Sequence, residues 1–156
     1  MAENMTPQVK TILYAEDDVV VLTVHRMRLQ KAGFHVIAAH DGLEAIKKLS
    51  MFVPDVVLLD LALPRFNGEE VLQFILKNPA LAGVPVIVLS TNSVRDAAQE
   101  PVLERTSKRL IKSQCNSATL LAAIQEVLGK ATVEKPRPPA FESEKLFSDD
   151  LAPAAA

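Results

Sequence analysis

The chain has 156 residues, 49% of them apolar and 23% charged, with six Phe, one Tyr and no Trp. That suffices for one domain with a mainly aliphatic core plus a tail, and excludes a large multidomain enzyme. Seventeen basic residues against nineteen acidic ones give a net charge of −2, and no basic run is long enough to neutralise several phosphates, which argues against direct nucleic-acid binding.

Cys115 is the single cysteine, so an internal disulfide or a multi-cysteine metal site is excluded, and a reducing cytoplasm is the expected setting for a half-buried free thiol. No run of about 18 apolar residues occurs, and Met1 to Thr6 holds no apolar leader, so neither a membrane span nor a secretion signal is expected.

In chain order, Thr11-Ile12-Leu13-Tyr14-Ala15 reads as a buried strand that ends at Glu16-Asp17-Asp18. Val20, Val21, Val24, Met27, Leu29 and Ala32 then recur roughly at helical spacing, and Gly33 stands where a C-terminal cap glycine belongs. Phe34 to Ala39 reads as a second strand, followed by a short helix with apolar positions at Leu43, Ile46 and Leu49. Asp55 to Leu59 is a nearly continuous apolar run ending in Asp60, the pattern of a central parallel strand covered on both faces. The periodicity predicts a helix over Gly68 to Lys77, stopped by Asn78-Pro79. Pro85 to Ser90 is the fourth strand, and Val94 to Arg105 a weaker helix that contains Pro101. Leu110-Ile111 forms a short fifth strand, and Ala118 to Leu128 a closing amphipathic helix. Five βα units in succession imply an α/β fold, a doubly wound parallel sheet with right-handed crossovers and helices on both faces.

The composition divides the chain into a short lead at 1–9, a domain at 10–129 and a tail at 130–156. Residues 131–156 hold four of the ten prolines, six alanines and five acids against three bases. Such a segment buries too little apolar surface to offset its ordering entropy, so a flexible tail is expected. Within it, Phe141 to Leu151 is an acidic stretch with apolar residues that could also lie on a partner. The tail is too short for an effector domain, so a signal from this chain is expected to pass by contact with another protein.

In a doubly wound sheet, ligands bind beyond the carboxyl ends of the strands. Glu16-Asp17-Asp18, Asp60, Ser90-Thr91 and Lys112 are the residues predicted there. Crowded carboxylates repel unless a cation intervenes. Mg²⁺ suits the group, because it takes hard oxygen ligands, is held by one or two carboxylates and leaves positions open for phosphate oxygens. An acid cluster with a nearby Lys and Ser makes a phosphoryl site, in which a carboxylate can attack in line. Asp18 equally suits a helix cap. His25, His35 and His40 lie away from this crevice and are assigned no role in it.

Five blocks then carry a specific resemblance: Ile12 to Asp18; Asp41-Gly42-Leu43-Glu44-Ala45; Pro54 to Pro64 with Asn67-Gly68; Pro85 to Thr91; and Ile111-Lys112. In order and spacing they resemble the receiver domain of two-component response regulators, over about Lys10 to Gly129. The resemblance implies a flavodoxin-like five-stranded sheet of order 2-1-3-4-5 and a single-domain, chemotaxis-type regulator. Such a protein accepts a phosphoryl group from the phosphohistidine of a sensor histidine kinase or histidine phosphotransferase and signals to a downstream protein. It implies Asp60 as phosphoacceptor, Glu16, Asp17, Asp60 and the Ala62 carbonyl as Mg²⁺ ligands, and Ser90 and Lys112 as the hydroxyl and amine that meet the phosphoryl oxygens. The chain is then a phosphoacceptor that assists its own phosphorylation and dephosphorylation rather than an enzyme, and a cytoplasmic phosphoprotein.

Three departures bear on output. Arg109 stands where the family has a Tyr or Phe three residues before the Lys, Ser113 replaces the proline that follows it, and the count on to Leu120 and Ile124 suggests one extra residue in that loop. Arg109 and Ser113, with Pro101, motivate an alternative, a pseudo-receiver that docks partners without phosphorylation. A third class, a flavin carrier or an Asp-nucleophile phosphatase, is disfavoured: Glu16-Asp17-Asp18 would repel a flavin phosphate, and Ala62 offers no general acid.

Overall fold

Because the apolar runs are short and can face water on neither side, they pair with one another. The computed structural model describes residues 8–91 and 105–130, in which five parallel strands form one sheet. The strands are β1 (Thr11–Ala15), β2 (His35–Ala39), β3 (Val56–Asp60), β4 (Val86–Ser90) and β5 (Lys108–Ile111), ordered β2-β1-β3-β4-β5. Four helices complete the described fold: α1 (Val19–Lys31), α2 (Gly42–Leu49), α3 (Gly68–Lys77) and α4 (Ser117–Lys130). The helix expected over 94–105 falls almost wholly outside the described residues, and the tail at 131–156 and most of the lead do so entirely.

The period-two alternation of β1 divides the core. Leu13 and Ala15 join Ile37, Ala39, Val57, Leu59 and Val88 under α2 and α3, against Ala45, Leu49, Val71, Leu72 and Ile75. Ile12 and Tyr14 join Val36, Ala38, Val56, Leu58, Ile87 and Leu89 on the other face, beneath Leu22 and Leu29 of α1 and Leu120, Ala123, Ile124 and Val127 of α4. The doubly wound α/β architecture and its 2-1-3-4-5 order are thus as expected.

Side chains at the helix starts hold the connections. Asp18 caps α1 by accepting from the Val20 and Val21 amides, Asp41 caps α2 through the Glu44 amide, and Asn67 and Glu70 form a reciprocal capping box on α3; each such cap contributes about 1 kcal/mol. Gly33, at φ 103°, turns the chain out of α1.

Two expectations change. β5 begins at Lys108 rather than Leu110 and carries an exposed Arg109, as an edge strand with one open side can. In α1 the structure buries Leu22 and Leu29, while Val20, Val24 and Met27, which recur at the same helical spacing, are 71%, 52% and 62% exposed. Both sides of this helix are apolar, so periodicity could not say which one meets the sheet.

Leu29→Ala should therefore cost about 2–5 kcal/mol, whereas Val24→Ala should stay within about 0.5 kcal/mol of the parent. Urea unfolding midpoints measure both, and the reverse ranking would show that α1 is turned the other way.

Candidate functional site

Since all five strands run one way, β1, β3, β4 and β5 deliver their carboxyl ends to one edge of the sheet. Asp60 closes β3 and pairs with Leu89, one residue before Ser90, whose own partner is Ile111. Glu16 and Lys112 are the residues that follow β1 and β5. The two carboxylates are almost inaccessible, with Glu16 at 0% and Asp60 at 1% exposure.

Lys112 reaches in from a 3-10 turn over Lys112–Gln114 and donates to Asp60 Oδ2 at 2.9 Å and Glu16 Oε2 at 3.1 Å. The Lys112–Ser113 peptide is trans, so serine in place of proline is accommodated by winding this turn. Burial alone would lower the Lys112 ammonium, but hydrogen bonds and charge from Asp60 and Glu16 outweigh it and hold the group above the ordinary lysine value. Glu16 is raised, first by burial and then by the Asp60 charge, against the lowering effect of the Asp18 amide and Lys112. Asp60 Oδ1 accepts from the Ala62 amide at 3.0 Å.

Glu16, Asp17 and Asp60 each offer a carboxylate oxygen, all within 4.8 Å of one another. Three carboxylates against one ammonium leave two negative charges, the charge of one divalent cation. Glu16 Oε1 is buried with no hydrogen-bond partner, an orphan acceptor that a metal would satisfy. With an all-oxygen donor set and an exposed Asp17 at the mouth, the site fits Mg²⁺. Asp18 stands apart: its carboxylate is committed to the α1 cap, and its amide donates to Glu16 Oε2 at 3.1 Å.

Glycine sets the loop behind Asp60. A Cβ at Gly68 would lie 2.5 Å from the Leu61 Cα and 2.6 Å from the Asp60 carbonyl oxygen, so α3 can start this close to β3 only without a side chain there. The Gly68 amide donates to Leu61 O, and the Gly42 amide to Pro64 O.

One contact escaped the sequence reading. Tyr14, inaccessible beneath the pocket, bonds His25 Nδ1 at 2.9 Å. Burial first, and then nearby charges led by Glu16, push the Tyr14 phenol far above its usual value. Burial and the Lys112 charge lower His25. The signal was present as a Tyr on β1 and a His on the α1 face that carries Leu22 and Leu29, but it needed the orientation of α1 to be visible. Cys115 is half-buried, and burial raises its thiol.

A family model for the response regulator receiver domain matches residues 12–125. The luminescence regulatory protein LuxO of Vibrio campbellii is 31% identical over 117 residues, covering 75% of this chain and 25% of that protein. The polar-differentiation response regulator DivK of Brucella anthropi is 24% identical over 122 residues, covering 78% of this chain and 98% of that protein. The chain thus spans about a quarter of the length of LuxO and nearly all of DivK. Among solved structures, the chemotaxis response regulator CheY4 of Vibrio cholerae superposes with TM-score 0.70 at 27% identity, covering 77% of this chain and 99% of that one. The receiver domain of the sensor histidine kinase PA1611 of Pseudomonas aeruginosa, which has magnesium coordinated in its active-site cleft, gives TM-score 0.70 at 27% identity, covering 78% and 99%. Among the described residues no helix is long and apolar enough to cross a membrane.

The lowered His25 makes a testable contribution to pH dependence. Below about pH 6.5 the unfolded chain takes up a proton at this ring that the folded chain resists. The unfolded state then binds more protons, and stability falls as pH drops through that value. His25→Gln should lose less stability than the parent between about pH 7 and pH 5, read from urea midpoints; equal slopes would refute the assignment.

Proposed function

The chain belongs to the response regulator receiver domain family, and on that premise we propose that Asp60 accepts a phosphoryl group from the phosphohistidine of a sensor histidine kinase or histidine phosphotransferase. The observation that carries this reading is the buried Asp60 carboxylate held by Lys112 and the Ala62 amide at the edge of an acidic cluster. A nucleophile fixed from two directions needs little reorganisation to meet phosphorus. In the transfer, an Asp60 oxygen forms the new P–O bond while the P–N bond breaks and its electron pair returns to the imidazole.

Mg²⁺, when bound, neutralises phosphoryl oxygens; Glu16, Asp17 and Asp60 would hold it, with the Ala62 carbonyl as a further ligand. Lys112 is placed to follow the charge from the free carboxylate to the phosphorylated one. Ser90, at the end of the neighbouring strand, supplies the hydroxyl for a phosphoryl oxygen. The chain acts as phosphoacceptor in the cytoplasm, where kinase domains and Mg²⁺ are available, rather than as a turnover enzyme. Its output is a protein contact: the added charge of about −1.5 to −2 draws Ser90 and Lys112 inward and biases the adjoining loops.

A second reading draws on Arg109, whose exposed position on β5 leaves no aromatic there to turn inward. In that reading partners dock without phosphorylation.

Incubation with a small acyl-phosphate donor and Mg²⁺ should add the mass of one phosphoryl group. Asp60→Asn should abolish the adduct, and Asp17→Asn or chelation of Mg²⁺ should slow its formation by about tenfold or more. An intact protein that gains no mass would overturn the phosphoacceptor reading and leave phosphorylation-independent docking. Mg²⁺ should also raise the unfolding midpoint of the parent in proportion to occupancy and leave that of Asp17→Asn nearly unchanged.

A further inference from the structure

The outward face of α1 is left over by everything described above. Val20, Val24 and Met27, at i, i+4 and i+7, form an exposed apolar stripe opposite the buried Leu22 and Leu29. Lys31 continues the stripe and Arg28 flanks it, both exposed, while Arg26 lies farther round the same helix. With no acid between Val19 and Lys31, the helix carries a charge of +3 apart from His25. An apolar seam with Arg28 along one side and Lys31 at its far end suits an occupant that is apolar and acidic.

The chain itself holds such a segment. Phe141-Glu142-Ser143-Glu144-Lys145-Leu146-Phe147-Ser148-Asp149-Asp150-Leu151 offers four large apolar side chains, with four acids against one lysine, a charge of −3 that mirrors α1. Its tether is suitably placed. α1 and α4 pack on the same face of the sheet, and each returns from the carboxyl edge of a parallel strand, so Lys31 and Lys130 lie toward the same end of the molecule. Helices packed side by side are about 8–10 Å apart, and thirteen helical residues span about 20 Å. The ten residues from Ala131 to Ala140 reach up to about 33–36 Å when extended, enough to go around α4 or across its end and lie along the stripe.

We propose that Phe141–Leu151 docks in cis on the exposed Val20-Val24-Met27 face of α1, its acids against Arg28 and Lys31.

Methyl-labelled methionine provides the test in the full chain, which has four methionines. Met27 lies on the stripe and Met51 just beyond α2, and both are exposed, so Met51 serves as an internal control. The methyl resonance of Met27 should shift between the parent and the tail variant Phe147→Ser with Leu151→Ser, and high salt should move the parent signal toward that of the variant. Met51 should stay in place. Coincident Met27 signals in parent and variant would overturn the proposal, as would a Met51 shift equal to that of Met27. A Met27 shift that grows with protein concentration would replace docking in cis by docking on a second copy.

Discussion

Two carboxylates sunk into the carboxyl edge of the sheet share one ammonium, and the arrangement of the pocket follows from that constraint. Glu16 and Asp60 are held by Lys112 at 3.1 and 2.9 Å. Unit charges about 5 Å apart repel by roughly 3 kcal/mol at an effective dielectric of ~20, and contacts near 3 Å attract by somewhat more at the same dielectric. The ammonium therefore offsets the repulsion between the two buried acids and leaves the third, Asp17, uncompensated. A polar site this close to the core is tolerable because backbone amides from Asp18 and Ala62 complete the acceptors they face. The remaining orphan, Glu16 Oε1, marks where the protein alone is electrostatically unfinished.

The fold supplies this geometry through parallelism rather than through any single strong contact. Asp60 and Lys112 are 52 positions apart in the chain, and Glu16 and Lys112 are 96 apart. They meet because β1, β3, β4 and β5 end together. The loops that carry the site are then fixed by local devices: the Asp18 cap turns one acid of the Glu-Asp-Asp run away from the metal position, and Gly68 lets α3 begin against the backbone of Asp60. A side chain at that glycine would push the loop carrying Ala62 away from its hydrogen bond to Asp60.

Much of this was legible in advance. Runs such as Val56 to Leu59 can only be central strands, and acids or lysine placed directly after such runs must gather at one edge once the strands are parallel. The orientation of α1 was not legible. With valines at 19, 20, 21 and 24, leucines at 22 and 29 and methionine at 27, the helix has apolar residues on both sides. Burial of Leu22 and Leu29 was settled by which side chains fit over Ile12, Tyr14 and Leu120. The Tyr14–His25 bond depends on that outcome. So does the exposed stripe.

The sequence alone therefore determined the order of elements, the parallel sheet and the identity of the residues at its carboxyl edge, because these depend on local periodicity and on the chirality of βα connections. Only the tertiary structure decided which face of α1 turns to solvent and which acids share Lys112. Those outcomes are set by packing and by electrostatic contacts between residues far apart in the chain, where no local pattern records the choice.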